Sequence, residues 1–257
     1  MERILLEACC GGADDVYAAK AAGADRAELN AAMPLGGLTP SIGTMQVATG
    51  AGIPVIAMVR PRSGGFCYSE YEFETMCKDA AALLLAGAQG IAFGILTKNG
   101  TIDEKRCETL LSIIGNGQKV FHRAFDVTPN WRASLDALCS LGFTRVLSSG
   151  QASSALEGAH ILAQMAEYAR GRIEILPGGG IRPYNAAEIA VRTGCSQMHA
   201  SLSSQRIDQS ASANPVVHFS APLYPPEHLY TRLDQAGFRD LGDALCREIS
   251  LCDMQSE

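Results

Sequence analysis

Apolar positions along the chain follow two alternating rhythms. Arg3–Ala8, Pro54–Val59, Lys119–Arg123 and Arg172–Leu176 have the alternating or nearly continuous apolar character of short strands. Between them, Asp14–Ala22, Ile42–Thr49, Glu70–Ala86, Asp103–Ile114, Asn130–Leu141, Ser153–Tyr168 and Tyr184–Arg192 space their apolar residues as one face of a helix does. A second set of strands follows a repeated phrase: Ala22-Gly-Ala-Asp-Arg-Ala-Glu-Leu29, Ala86-Gly-Ala-Gln-Gly-Ile-Ala-Phe93, Leu141-Gly-Phe-Thr-Arg-Val-Leu-Ser148 and Thr193-Gly-Cys-Ser-Gln-Met-His-Ala200. Each reads as a helix end, a glycine, a small turn and a short apolar strand. Gly23, Gly87, Gly142 and Gly194 suit the left-handed residue that closes a helix. Ser41, Ser69, Thr128 or Asn130, and Ser153-Ser154 supply helix starts.

Strand and helix thus alternate through eight strands. That predicts a parallel sheet closed into a (β/α)8 TIM barrel, with residues 1–257 as a single domain. An open, doubly wound sheet is the alternative. After the eighth strand the rhythm stops. Residues 201–228, rich in Ser, Pro and polar side chains, read as a long loop or partly disordered tail. Leu229–Arg232 and Asp240–Leu251 read as helical, making 229–251 a C-terminal helical segment that supplies the last helix.

Composition narrows the partners. The chain has 257 residues, a net charge of −6 and no basic run, which argues against nucleic acid or an anionic membrane surface. No window approaches the ~18 apolar residues of a membrane span. The opening Met-Glu-Arg-Ile-Leu-Leu-Glu-Ala is too short and too charged for a signal peptide. Nine cysteines, an odd number without framework spacing, suit reduced thiols in the cytoplasm.

Candidate chemistry collects at strand ends, where barrels place their sites. Lys119-Val-Phe-His-Arg-Ala-Phe-Asp126 is a buried strand that finishes on a base, a cation and a carboxylate. If Leu6, Ala8, Ala27, Leu29, Val55, Ala57, Val59 and Phe121 face the helices, then Glu7, Glu28, Asn30, Met58, Arg60, His122 and His199 face the lumen. Buried charges of this kind must pair with one another, bind a ligand, or both. Arg60 and Arg62, flanking Pro61, offer forks for a carboxylate or phosphate; they also suit ion pairs with Glu7 and Glu28. His122 fits a general acid or base whose tautomer Asp126 holds, with Arg123 beside it. Pro177-Gly-Gly-Gly180, through Gly179 and Gly180, with Ser149 from the sixth strand, reads as a phosphate cradle or as a plain tight turn. Cys9 and Cys10 are candidate soft-metal ligands, although neighbours in extended backbone point opposite ways.

Several longer phrases resemble one family. They are Arg26-Ala-Glu-Leu-Asn-Ala-Ala, Gly36-Gly-Leu-Thr-Pro-Ser41, Arg60-Pro-Arg62 with Tyr68-Ser69, and Phe121-His-Arg-Ala-Phe-Asp126. Arg145-Val-Leu-Ser-Ser-Gly150, Ser154-Ala-Leu-Glu-Gly158 and Pro177-Gly-Gly-Gly-Ile181 complete the set, over about residues 1 to 204. Together they resemble the CutC family of copper homeostasis proteins. The resemblance implies a TIM barrel, a cytoplasmic homodimer or larger homo-oligomer, and Cu(I) bound by cysteines. It also implies a cysteine after the Arg-x-Glu-Leu phrase, where this chain has Asn30, leaving Cys9 as the matching thiol. Two functions follow as expectations. One is copper homeostasis with Cu(I) as ligand. The other is an isomerase or lyase acting on a small anionic metabolite, gripped by Arg60 and Arg62, with His122 and Glu28 or Glu7 moving a proton.

Overall fold

Eight short strands run parallel and lie side by side in chain order, β1 (Leu5–Cys10), β2 (Arg26–Leu29), β3 (Val55–Met58), β4 (Gly90–Phe93), β5 (Gln118–Phe121), β6 (Arg145–Ser148), β7 (Glu174–Pro177) and β8 (Gln197–Ala200). β8 returns to pair with β1, and a parallel bridge between Gly178 and His199 joins the end of β7 to β8. The sheet therefore closes into the predicted (β/α)8 barrel. This computed structural model describes residues 3–214, 216–218 and 228–254, with side chains as far as Arg247.

Helices α1 (Ala13–Ala21), α2 (Ile42–Thr49), α3 (Glu70–Leu85), α4 (Glu104–Ile114), α5 (Trp131–Leu141), α6 (Ala159–Ala169) and α7 (Ala186–Thr193) fill the connections. Their starts follow the local chemistry. Ser69 and Glu72 form a reciprocal capping box, and the side chains of Ser41 and Asn130 accept backbone N–H bonds at the first turns of α2 and α5. The closing glycines Gly23, Gly87, Gly142 and Gly194 all have positive φ, between 64° and 104°. α6 begins later than its apolar spacing suggests: residues 153–158 form turns, and the backbone of Gly158 packs against Ser149 and Gly150, leaving no room for a Cβ.

The region after β8 departs from the sequence expectation. Ser203–Ile207 (β9) pairs antiparallel with Leu229–Leu233 (β10), so 229–232 is strand and not helix. Part of the expected loop, 219–227, lies outside the described residues. The hairpin is tied to the barrel where the backbone N–H of Leu233 donates to Asp15 over 2.9 Å and Arg232 pairs with Asp14. α8 (Gln235–Met254) then packs against α7 and α1 and supplies the last helix of the ring. Among the described residues no helix is long and apolar enough to cross a membrane.

Side-chain alternation divides the strands. Leu6, Ala8, Ala27, Leu29, Val55, Ala57 and Phe121 join the main apolar core, whereas Ile56, Met58, Ala92 and Val120 form a separate apolar cluster. These two sets fall on alternate positions of β3 to β5, as the two faces of a barrel wall require. Around the rest of the lumen most inward positions are charged or polar, with the apolar Leu147 among them.

Candidate functional site

The lower lumen is a closed polar plug. Arg26 binds Glu7 through Nε and donates to Gln197 Oε1 over 3.0 Å. Arg145 donates to Glu174 over 3.0 Å and to Gln118 over 2.8 Å, while Gln197 reaches Glu174 over 3.1 Å. Arg26 and Arg145 were not among the expected site residues. Their inward parity on the second and sixth strands was the available signal, since Arg26 lies two residues before Glu28. Glu7 is therefore the partner of Arg26 and not of Arg60 or Arg62.

Above the plug, a cavity of about 310 Å3 opens at the C-terminal ends of the strands. Its floor on the β8, β1 and β2 side is made by Cys9, Glu28, Asn30 and His199. Glu7 reaches up from the plug, and its Oε1 lies 2.8 Å from Nδ1 of His199. Nε2 of His199 is 3.9 Å from Glu28 Oε2, and the Cys9 thiol donates to the same oxygen over 3.8 Å. Asn30 Nδ2 donates to Glu28 Oε2 over 3.0 Å and stands 3.6 Å from the Cys9 sulfur. The approach is close: a Cβ on Gly37 would come within 2.4 Å of Asn30 Oδ1.

The charges of this floor are coupled. Burial works against the Glu7 carboxylate, but the bond from His199 and the Arg26 charge outweigh it and pull its pKa down to about 2. Burial likewise opposes the His199 imidazolium, yet Glu28, Cys9 and Glu7 hold its pKa well above the ordinary value. Burial, reinforced by the charge of Glu7, raises Glu28, whose Oε1 has no hydrogen-bond partner. Burial also raises the Cys9 thiol.

The opposite wall, from β3 and β5, carries Met58, Arg60, Phe66 and His122. Among the described residues Arg60 does not meet a carboxylate. Its terminal nitrogens donate to the carbonyls of Leu35, Gly36, Gly37 and Gly64 over 2.8 to 3.1 Å. Arg62 turns away to the surface, bound to Glu72 over 2.5 Å and to three loop carbonyls. The two arginines therefore do not form one clamp. His122 Nδ1 accepts the N–H of Ala124 over 3.1 Å, and Asp126 does not touch it. The helical turn Arg123–Val127 carries Asp126 instead to Arg123 Nε over 2.8 Å, Ser148 Oγ over 2.6 Å and Ser149 Oγ over 2.9 Å.

Arg123 lines the rim of the cavity, and its Nη2 donates to Ser149 Oγ over 2.8 Å. Gly179 lies against both, with φ 107° and space for a Cβ only 3.3 Å from the Arg123 guanidinium; Gly180 faces Ser154. Cys10 is on the other face of β1, fully buried, with its thiol toward Ala8 O at 3.7 Å, so the structure does not bring it to Cys9. Gly94, absent from the expectations, packs under the His122 ring.

Relatives bear on this arrangement. The CutC family model matches residues 4–204. A family protein CutC of Treponema denticola is 51% identical over 88% of this chain and 93% of its own. The human protein named copper homeostasis protein cutC homolog is 39% identical over 95% of this chain and 90% of its own. The crystal structure of a CutC from Streptococcus agalactiae superposes with a TM-score of 0.73 at 36% identity, covering 76% of this chain and 97% of that one. Phosphoribosylanthranilate isomerase from Pyrococcus furiosus, 12% identical with a TM-score of 0.53, shares the barrel fold alone. The phrases quoted from the sequence, the closed barrel and these relatives agree: the chain belongs to the CutC family.

Proposed function

We propose that this protein serves copper homeostasis by holding Cu(I) on Cys9 and His199 at the floor of the barrel mouth, in the cytoplasm and as a homo-oligomer. One observation carries the reading: the Cys9 sulfur, a Glu28 oxygen and a His199 ring nitrogen lie within 4.8 Å of one another. A thiolate and an imidazole are donors that Cu(I) takes readily, while Glu28 is a harder ligand and the weakest of the three. Glu7 on Nδ1 of His199 leaves Nε2 for a metal, the carboxylate–histidine arrangement common behind ligating histidines. Asn30 stands beside the sulfur where the family resemblance implies a second thiol. The human relative's name supports the copper link, and the thiols of Cys9, Cys10, Cys67, Cys77, Cys107, Cys139 and Cys195 are free, which suits a reducing compartment.

Anaerobic competition titration with a chromophoric Cu(I) chelator tests this. Wild-type protein should take up a single Cu(I) per chain, Cys9→Ser and His199→Gln should weaken it strongly, and Cys10→Ser should not. Unchanged affinity in Cys9→Ser would reject the reading.

A second reading is supported by a separate observation. Glu28 Oε1, Arg60 Nε and His122 Nε2 are buried in residues lining the cavity and have no partners. Copper needs no guanidinium, but a small anionic metabolite does. In this reading the protein is an isomerase or lyase, with Glu28 exchanging a proton on the ligand's carbon. Glu7 and Asp126 are committed to their own networks and remain supports. Deuterium uptake from D2O into small 2-oxo and 2-hydroxy acids, followed by NMR, checks turnover; no uptake in any of them would remove this reading.

A further inference from the structure

We propose that Arg60 and His122 form a subsite for the carboxylate group of a small organic ligand, with His122 acting as a fixed neutral hydrogen-bond donor. The proposal deepens the metabolite reading and shares its ligand class, but it does not require turnover.

The proton position on His122 follows from its partner. Nδ1 accepts the Ala124 N–H, so its lone pair is occupied and a neutral ring must carry its proton on Nε2. Nε2 is buried and unpartnered in a residue only 4% exposed. Burial, and then the nearby Arg60 charge, push the pKa down to about 3, so the ring stays neutral at physiological pH. It is therefore a poor proton shuttle and a good donor.

The ring is held in place. A Cβ on Gly94 would stand 2.5 Å from Cε1 and 2.6 Å from Nδ1, so the residue just after β4 must be glycine for the ring to fit. Phe66 packs on another side with ring centroids 5.2 Å apart. The Arg60 guanidinium lies 5.3 Å from the centroid of the same Phe66 ring.

Arg60 supplies the charge. It is 8% exposed, its partners are neutral carbonyls, and among the described residues no carboxylate pairs with it. Its Nε–H is left without an acceptor. A buried cation with an unused donor, packed on the same Phe66 ring as a second unused N–H, calls for an acceptor that carries negative charge. Two donors match the two oxygens of a carboxylate, whereas a phosphate would leave oxygens unbound. Met33, Met58 and Leu147 supply apolar lining for the remainder of the ligand, in a cavity at the small end of organic-ligand sites.

The test uses full-length, copper-free protein with acetate, pyruvate, succinate and citrate as probes, and inorganic phosphate as the contrasting arm, read by calorimetry. At least one carboxylate should bind, and His122→Leu should weaken it by about tenfold or more, the loss of one hydrogen bond to a charged group. Thermal melting of His122→Leu should remain one cooperative transition, lowered by no more than the lost Ala124 N–H bond accounts for, which separates lost binding from lost fold. Gly94→Ala, which displaces the ring without removing it, should also weaken binding. Nitrogen NMR of the labelled ring should show the Nε2–H tautomer, with that resonance moving when the carboxylate is added. No carboxylate binding, tight phosphate binding alone, affinity unaffected by His122→Leu, or an Nδ1–H tautomer would each overturn the proposal. Carboxylate binding without deuterium uptake would sink the turnover reading and leave this one standing.

Discussion

On the β8, β1 and β2 side of the mouth, every strong charge meets another. Glu7 binds Arg26 below and His199 above, and His199 in turn faces Glu28 and Cys9. On the β3 and β5 side, Arg60 and His122 are as deeply buried, yet among the described residues neither meets a carboxylate and each keeps an unused N–H. The first side can stand without a ligand, since its desolvation cost is offset by its own ion pairs. The second cannot be explained by internal pairing, because four carbonyls satisfy the ends of Arg60 but do not neutralise it. Burial alone therefore does not mark a functional residue. Burial with an unanswered donor and no carboxylate facing it does.

The largest expected effect breaks the paired side. Glu7→Gln removes the only carboxylate bound to Arg26 among the described residues and strips His199 of its anchor, so unfolding free energy should fall by about 3 to 5 kcal/mol in urea titration. A loss under about 1 kcal/mol would show that the plug tolerates an unpaired arginine. Next comes copper: Cys9→Ser should weaken Cu(I) by about a hundredfold in chelator competition, and Cys10→Ser should leave it within about twofold.

The unpaired side should show its own pH signature. A base whose folded pKa lies at about 3, below the ordinary 6.5, binds its proton in the unfolded chain first. Its contribution to stability is intact above pH 6.5 and shrinks as pH falls toward 3. Between pH 7 and 5 wild type should lose about 2 kcal/mol that His122→Leu does not lose, measured by denaturant midpoints at each pH. The smallest change sharpens the contrast from the other direction. Asn30→Cys places a second thiol beside the Cys9 sulfur and should tighten Cu(I) by about tenfold, with no change in carboxylate binding.

Much of the barrel was legible because period and punctuation coincide. Short apolar runs, helical spacing and a glycine at positive φ before alternate strands leave few other folds. Parity then placed Glu28, Arg60, His122 and His199 toward one opening. The hairpin of β9 and β10 was not legible, since β9 is mainly polar and both strands are largely exposed and more than twenty residues apart. Asp126 lies close to His122 in sequence, but a helical turn rotates it onto Ser148 and Ser149 of the next strand. Arg62 is two residues beyond Arg60 and shares its charge, yet Glu72 and three loop carbonyls draw it outward.

Sequence alone determined that the chain alternates strand and helix, closes, and gathers acids, bases and guanidinium groups at one end, because side-chain period and strand direction are local properties. Tertiary structure decided which of those groups satisfy one another. That outcome depends on register between strands far apart in the chain: Glu7 beside Arg26 and His199, and Gly94 hollowed out for His122. A hydrogen bond is settled over tenths of an ångström, which no pattern of residue types along one chain can specify.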